Sequence, residues 1–240
     1  MRISPQPLDL AKPGRVAGLR VLVTGASSGI GRALAERFLE DGARVAVCAR
    51  RKPRLEPLKA KGAAAFRADV ARPADVESLM RKVAEAFGGL DALVNNAAIL
   101  HKGRLSEQPF PEWTETIQTD LAAPLILARA ASRVMRAGSM INVSSGLGFF
   151  PMEPYGAYCV AKAGLNMLTR VLALEWEGRI AVNAVNPGVV RTEMNATAAD
   201  DPDTVYPVVR ALAAAGPSGP TGRCFKKTGE EEAWGRSPGA

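Results

Sequence analysis

The sequence has few histidines, cysteines and aromatic residues, and it contains no long apolar run. Only one histidine, His101, stands among 240 residues, so a histidine-rich metal site is excluded. The three cysteines have neither metal-ligand nor disulfide-framework spacing, which favours a reducing, cytoplasmic compartment. The longest uncharged apolar stretch, Leu121–Ala128, is too short to cross a bilayer, and the N-terminus lacks the apolar segment of a secretory signal. We therefore expect neither a bound metal nor a membrane partner.

The chain is basic, with a formal net charge of +7. Such a charge can attract nucleic acid or membrane headgroups. However, no Lys/Arg block exceeds three residues, and no aromatic platform typical of an RNA-binding protein is visible. We interpret the charge as arginine-rich, solvated helix faces and expect no nucleic-acid partner, with a nucleic-acid-binding protein kept as one alternative.

Strand and helix patterns alternate along the chain. An apolar strand over Arg20–Thr24 is followed by a glycine-rich turn and by a helix with an apolar face at Ile30, Leu34 and Phe38. The alternation continues with a second strand over 44–49, further helices over 53–61, 74–87, 111–137, 155–177 and 202–215, and further strands over 64–69, 90–95, 139–144, 180–186 and 223–226. This order predicts an α/β fold with a doubly wound parallel sheet, of the Rossmann type. We expect one domain over 19–234, a flexible arm over 1–18 and a flexible tail over 235–240.

The segment between the first strand and first helix, 24–31, reads Thr-Gly-Ala-Ser-Ser-Gly-Ile-Gly. Glycines let the backbone turn sharply and approach a ligand closely. The following helix presents free N–H groups and the positive end of its dipole to a pyrophosphate. A structural turn is the alternative, but the strand–turn–helix context favours a cofactor. The predicted cofactor-binding residues here are Gly25, Ser27, Ser28, Gly29, Ile30 and Gly31.

The spacing Thr-Gly-x-x-x-Gly-x-Gly differs from the usual Gly-x-Gly-x-x-Gly and resembles the short-chain dehydrogenase/reductase family. The resemblance covers about Leu19 to Trp234. The ending, 219–225 followed by Ala233 and Trp234, is similar to a carbonyl-reductase-type branch of that family. The resemblance implies an oxidoreductase that moves a hydride between a nicotinamide cofactor and a small-molecule carbonyl or alcohol. It also implies a homodimer or homotetramer built on the two longest helices.

The end of the second strand predicts which nicotinamide cofactor binds. An acidic residue there would accept a hydrogen bond from the ribose 2′-hydroxyl of NAD, but the sequence has Ala49 followed by Arg50 and Arg51. Guanidinium groups hold a 2′-phosphate, so we favour NADP(H) over NAD(H) and Arg50 over Arg51 as its ligand. Arginines that face only water are the alternative. The resemblance implies further cofactor contacts from Asp69, Val70, Asn96, Ala97, Pro187, Gly188, Val190 and Thr192.

Tyr158 and Lys162 stand four residues apart, on one face of a predicted helix. A nearby ammonium favours the phenolate and lowers the pKa of a tyrosine. Pairs of this kind are common on ordinary helices, but Ser145 lies 13 residues before Tyr158, as in the Ser…Tyr-x-x-x-Lys pattern of the family. The resemblance implies that Ser145 polarises the carbonyl, Tyr158 is the general acid/base, and Lys162 tunes Tyr158 and holds the ribose. Ser144 is the neighbouring alternative for the hydroxyl.

Asp120 occupies the position where the family has an asparagine in the catalytic group. A carboxylate there would pair with Lys162, raise the lysine pKa and partly cancel the field that Tyr158 feels. Our hypothesis is that activity survives with a changed pH profile. The alternative is a catalytically weak NADP(H)-binding regulator on the same fold.

The segments after the fifth and sixth predicted strands are rich in apolar side chains. Ligands in such sheets bind outside the carboxyl ends of the strands, so these segments predict the substrate wall. An apolar or aromatic carbonyl compound would fit them, although several of the side chains could instead pack internally. The predicted substrate contacts are Ser145, Leu147, Tyr155 and Met194, with Phe149, Phe150, Met152 and Tyr206 as further wall residues.

Overall fold

The computed structural model describes residues 8–11 and 14–232. Over these residues, seven strands form one parallel sheet in the order β3-β2-β1-β4-β5-β6-β7. The strands are β1 Arg20–Thr24, β2 Arg44–Ala49, β3 Ala64–Arg67, β4 Ala92–Asn95, β5 Gly138–Val143, β6 Ile180–Asn186 and β7 Cys224–Lys226. The strand order reverses between β1 and β4, and a crevice opens at such a switch point in doubly wound sheets.

Helices cover both faces of the sheet. They are α1 Gly29–Glu40, α2 Glu56–Ala60, α3 Pro73–Phe87, α4 Phe110–Ile117, α5 Ala123–Ala131, α6 Gly156–Glu175 and α7 Tyr206–Ala215. The side chains of α1, α2 and α7 pack with one face of the strands, and those of α3, α5 and α6 pack with the other. Because the central strands are buried on both faces, their sequences are almost continuously apolar. The predicted α/β class and parallel sheet are confirmed.

The single helix predicted over 111–137 is wrong. The chain forms α4, then a π-helical turn over Gln118–Ala122, then α5, which ends at Ala131. Pro124 explains the interruption, because it has no N–H to donate and its ring would clash with the carbonyl four residues earlier in a regular helix. The wider turn relieves that clash and turns Asp120 into the protein interior, where its side chain is fully buried.

Part of the predicted flexible arm packs against the domain. Val16 is buried, and Leu8 and Leu10 pack against the core. The predicted tail, 235–240, lies outside the described residues. Within the part of the chain that the structure covers, no helix has the length and apolar character needed to span a bilayer.

Candidate active site

A cavity of about 530 Å³ opens along the carboxyl ends of β1, β2, β4 and β5. Sixteen of the residues predicted from the sequence as site residues line this cavity. They are Gly25, Ser27, Ser28, Gly29, Ile30, Arg50, Arg51, Asp69, Val70, Asn96, Ala97, Tyr158, Lys162, Pro187, Thr192 and Met194. The glycine turn and the Tyr/Lys pair therefore share one cleft, as the switch-point position of the cleft requires.

Close backbone packing explains the glycines of the turn. A Cβ on Gly25 would lie 2.7 Å from the Ala97 Cα, and one on Gly31 would lie 2.3 Å from the Asn96 Nδ2. Asn96 in turn donates a 2.9 Å hydrogen bond to the carbonyl of Thr24, which ties the end of β4 to the turn. Gly31 does not line the cavity, so its role is to let α1 approach the strand ends.

The start of α1 fits an anionic diphosphate. The cap residue Ser28 makes no side-chain capping hydrogen bond within the described chain, and the first turn of α1 carries no acidic residue. The first N–H groups of the helix and its positive dipole end are therefore available to a ligand in the cavity. These features are the ones that a dinucleotide pyrophosphate needs.

The two arginines after β2 lie at the rim of the cavity, and each contacts a carboxylate. Arg50 pairs with Glu115 of α4 at 3.3 Å, and the opposite oxygen of Glu115 lies 2.9 Å from His101. Hydrogen bonds from His101 and then Arg50 lower the pKa of Glu115 below its usual range. Arg51 donates to the hydroxyls of Ser27 and Ser28 at 3.0 and 3.2 Å. Arg51 is thus the arginine that contacts the glycine turn, while the preference for Arg50 as the ligand of the 2′-phosphate stays a prediction.

Tyr158 and Lys162 line the cleft, and Ser145 lies beside Tyr158 outside the cavity lining. The Lys162 Nζ lies 5.2 Å from the centre of the Tyr158 ring and donates to the carbonyl of Val143 at 3.1 Å. The Ser145 side chain lies close enough to the Tyr158 phenol to lower its pKa. The alternative hydroxyl, that of Ser144, is engaged in a buried 2.5 Å hydrogen bond to Asn166. This bond leaves Ser145 as the hydroxyl beside the phenol.

Asp120 and Lys162 form a fully buried ion pair beneath the phenol, with 3.2 Å between the carboxylate and the ammonium. The N–H of Ile99 also donates to Asp120 at 2.9 Å. Burial raises the pKa of Asp120, against the opposing effects of Lys162 and this N–H. Burial alone would lower the pKa of Lys162, but Tyr158 and Asp120 together outweigh burial and raise it.

Three effects set the pKa of Tyr158, and together they raise it. Burial raises it most, Lys162 lowers it, and the negative charge of Asp120 raises it further. Lys162 therefore lowers the pKa of Tyr158 as expected, but burial and Asp120 outweigh this effect. Neutral phenol is the form that can donate a proton, and a positive charge nearby would favour its release.

Several predicted site residues lie away from the cavity lining. They are Gly31, Gly188, Val190, Asp120, Ser145, Leu147 and Tyr155. Asp120 and Ser145 still act on the site through contacts with Lys162 and Tyr158. The expected wall residue Tyr206 is a core residue instead, because its ring packs edge-on against Phe38 at 5.1 Å and its hydroxyl donates to Asp41.

The cavity also contains residues that sequence reasoning missed. Ile99, Thr119 and Glu193 line it, and Arg54 reaches its rim through an ion pair with Glu193. No local sequence pattern marks these positions, since the Arg51–Glu193 contact joins residues 142 positions apart. Asn166 could have been noticed, because it stands four residues after Lys162 on the same face of α6.

Comparison with known proteins shows what this chain is similar to. A family model for the short chain dehydrogenases matches residues 20–203. D-threitol dehydrogenase from Mycolicibacterium smegmatis is 34% identical over 207 residues, which cover 82% of this chain and 80% of that protein. A 3-oxoacyl-(acyl-carrier-protein) reductase from Escherichia coli is 36% identical over 191 residues, which cover 77% and 78%. A protein from Shigella flexneri 2a, described as a short chain dehydrogenase and solved in complex with NADP, has a TM-score of 0.83 and 27% identity, covering 90% of this chain and 99% of that one.

The parallel sheet, the glycine turn and these likenesses define an oxidoreductase with a nucleotide-binding cleft. The chain belongs to the short-chain dehydrogenase family, whose members bind nicotinamide cofactors. The family predicted from the glycine turn is therefore confirmed.

Replacing Asp120 by asparagine tests its electrostatic effect on the phenol. The negative charge of Asp120 raises the pKa of Tyr158, so the Asp120→Asn variant should have a lower Tyr158 pKa than the wild type. Carbon-13 NMR of ring-labelled tyrosine measures the ionisation, and the Tyr158→Phe variant assigns the signal. Asp203→Asn, which removes an exposed carboxylate, is the matched control. An identical midpoint in Asp120→Asn and the wild type would remove Asp120 from this role.

Proposed function

We propose that the protein transfers a hydride between NADP(H) and a carbonyl/alcohol pair, with Tyr158 as the general acid/base. The observation that carries this proposal is the position of Tyr158 and Lys162 in the same cavity as the glycine turn. A cofactor whose pyrophosphate lies at the start of α1 would extend along this cavity toward the phenol. The bound nicotinamide would supply or accept the hydride.

Residues of this chain transfer the proton that accompanies the hydride. In the reducing direction Tyr158 donates its phenolic proton to the substrate oxygen as that oxygen becomes negative. Ser145, which lies beside the phenol, donates to the same oxygen and polarises the carbonyl. The Lys162 ammonium stabilises the phenolate that remains, and Asp120 limits how far this stabilisation goes. In the oxidising direction the same groups act in reverse.

Charge at the cleft rim supports NADP(H) as the cofactor. Ala49 provides no carboxylate at the end of β2, while the guanidinium groups of Arg50 and Arg51 line the cavity next to it. A 2′-phosphate dianion is recognised by charge-assisted hydrogen bonds of this kind. The relative from Shigella flexneri 2a, solved in complex with NADP, adds support.

The substrate that we propose is an apolar ketone or aldehyde. Met194 and Ile99 line the cavity, and the ring of Phe150 lies against Gly146 next to Ser145. One relative carries the name of a threitol dehydrogenase and another that of a 3-oxoacyl reductase, so the named substrates share only a carbonyl/alcohol carbon. That shared carbon supports the reaction type. The resemblance of the chain end to carbonyl reductases supports an apolar substrate, although Ala233 and Trp234 lie outside the described residues.

A catalytically weak NADP(H)-binding regulator is the second candidate, favoured by the buried Asp120–Lys162 pair. This pair opposes phenolate formation, because the carboxylate cancels part of the ammonium field. Binding of NADPH without its oxidation, across a broad panel of aldehydes and ketones, would identify this function.

We also propose that the protein forms a homodimer or homotetramer. One exposed face of α6 is apolar, with Val160, Met167, Val171 and Leu174 between 43% and 61% exposed. Their spacing of three, four and seven residues places them in one stripe. The family resemblance implies that a second copy of this chain covers the stripe.

Two further expectations stay predictions. One is a cytoplasmic location, with which the free cysteine thiols of the described residues agree, and the other is the lack of a nucleic-acid partner.

Removing the phenolic hydroxyl tests the proposed acid/base. Tyr158→Phe should lower kcat for carbonyl reduction by about 100-fold or more and keep the ability to bind NADPH. Turnover is followed by NADPH absorbance, and binding by NADPH fluorescence. The matched variant Tyr155→Phe loses a hydroxyl that lies outside the cavity, so its effect should be much smaller. Equal kcat in Tyr158→Phe and the wild type would refute the assignment.

Arginine deletions test the cofactor preference. Arg50→Ala and Arg51→Ala should each raise the KM for NADPH by about tenfold and leave the KM for NADH nearly unchanged, because only NADPH carries the 2′-phosphate. Arg133→Ala, which removes an exposed arginine paired with Glu77 on α3, serves as the control. Equal rises for both cofactors would argue against recognition of the phosphate.

A charge in the apolar stripe tests assembly. Leu174→Glu should shift the protein toward a monomer in sedimentation-velocity measurements, because it buries an unpaired carboxylate in the proposed interface. Lys82→Glu, at an exposed position on α3, should leave the oligomeric state unchanged. A monomeric wild type would contradict the proposed assembly.

A further inference from the structure

Glu193 reaches from the loop after β6 to two arginines on the opposite side of the cavity. Its Oε2 accepts hydrogen bonds from both terminal nitrogens of Arg51, each at 3.1 Å. Its Oε1 accepts from the Nη1 of Arg54. Arg54 lies in the 3₁₀ turn over Lys52–Leu55 that follows β2. One carboxylate therefore bridges two guanidinium groups at the rim of the cleft.

The bridged arginines lie where the 2′-phosphate of the proposed cofactor would bind. Arg51 donates to Ser27 and Ser28 of the glycine turn, so its guanidinium lies between the end of β2 and the start of α1. In a doubly wound fold the adenosine ribose lies in this gap, next to the end of the second strand. A carboxylate and a phosphate offer similar oxygen pairs to a guanidinium, so they compete for the same nitrogens.

We propose that Glu193 determines cofactor specificity by occupying, in the free enzyme, the position that the 2′-phosphate takes on Arg51 and Arg54. Arg54 is then a third arginine of the phosphate site. This inference rests on the proposed use of NADP(H).

The competition acts on NADP(H) alone. The pKa of Glu193 is lowered by hydrogen bonds from Arg54 and then Arg51, so the carboxylate is ionised at neutral pH. A 2′-phosphate must displace this charge, whereas the neutral 2′-hydroxyl of NAD(H) can donate a hydrogen bond to it. Glu193 therefore provides, from a distant segment, the carboxylate that is missing at Ala49, and it narrows the preference for NADP(H) over NAD(H).

Two nucleotides that differ only in the 2′-phosphate test the proposal. Isothermal titration calorimetry compares adenosine 2′,5′-bisphosphate with adenosine 5′-monophosphate on the wild type and on Glu193→Gln. We expect Glu193→Gln to bind the bisphosphate roughly two- to fivefold more tightly, a modest gain because the three side chains are about half exposed. The affinity for the monophosphate should not rise. Adding Arg54→Ala to Glu193→Gln should reverse the gain.

The control is Glu77→Gln, which removes an exposed carboxylate of α3 that pairs with Arg133 and so reproduces the change in net charge. An equal gain in bisphosphate affinity in Glu77→Gln and Glu193→Gln, or no gain in Glu193→Gln, would overturn the role of Glu193. If the wild type still preferred the bisphosphate to the monophosphate, the proposed use of NADP(H) would stand. If wild type and variants all bound the two nucleotides equally, the proposed use of NADP(H) would fail as well. A preference for the bisphosphate that appears only in Glu193→Gln would support the inference.

Discussion

A buried ammonium determines the chemistry of the cleft. Lys162 is 2% exposed, and a charge at such depth is retained only where opposite charge and hydrogen-bond acceptors surround it. Asp120 and the carbonyl of Val143 meet this requirement from the interrupted helix and from β5. The ammonium is thereby fixed beside the phenol of Tyr158, where its positive charge favours the phenolate. Because the negative charge of Asp120 offsets part of this effect, Tyr158, Lys162 and Asp120 together set the pKa of the phenol.

The parallel sheet explains how such distant residues come together. Every strand ends at the same edge, so the loops after β1, β2, β4, β5 and β6 converge on one cleft. Asn96 fixes the glycine turn to β4, and Ser144 is anchored to α6 through Asn166. The two ends of the cleft therefore differ in character. The glycine turn and arginines form a polar rim, and at the other end the buried Lys162 lies beneath a partly exposed Tyr158.

The sequence predicted well those features that local patterns encode. The strand Ile180–Asn186 was predicted at its observed bounds, because a buried parallel strand is a continuous apolar run between turn residues. The turn predicted over 24–31 lies between β1 and α1 and lines the cleft. The π-helical turn at Gln118–Ala122 was not predicted, since apolar spacing does not reveal how a helix accommodates Pro124. Glu193 and Arg54 were also missed, because their contact depends on the path of a loop far along the chain. Which of Arg50 and Arg51 binds the 2′-phosphate also depends on contacts between segments that are distant in the sequence.

The central claim is that hydride passes between a nicotinamide in this cleft and a carbonyl carbon held beside Tyr158. Labelling tests this claim most directly: two preparations of NADPH, deuterated at C4 of the nicotinamide on one face or on the other, are each supplied with a panel of apolar aldehydes and ketones, and the products are analysed by mass spectrometry and NMR. We predict deuterium on the carbinol carbon of the alcohol formed, transferred from one face of the ring only. Oxidation of NADPH without deuterium in any alcohol product, or the lack of any oxidation despite binding, would contradict the account.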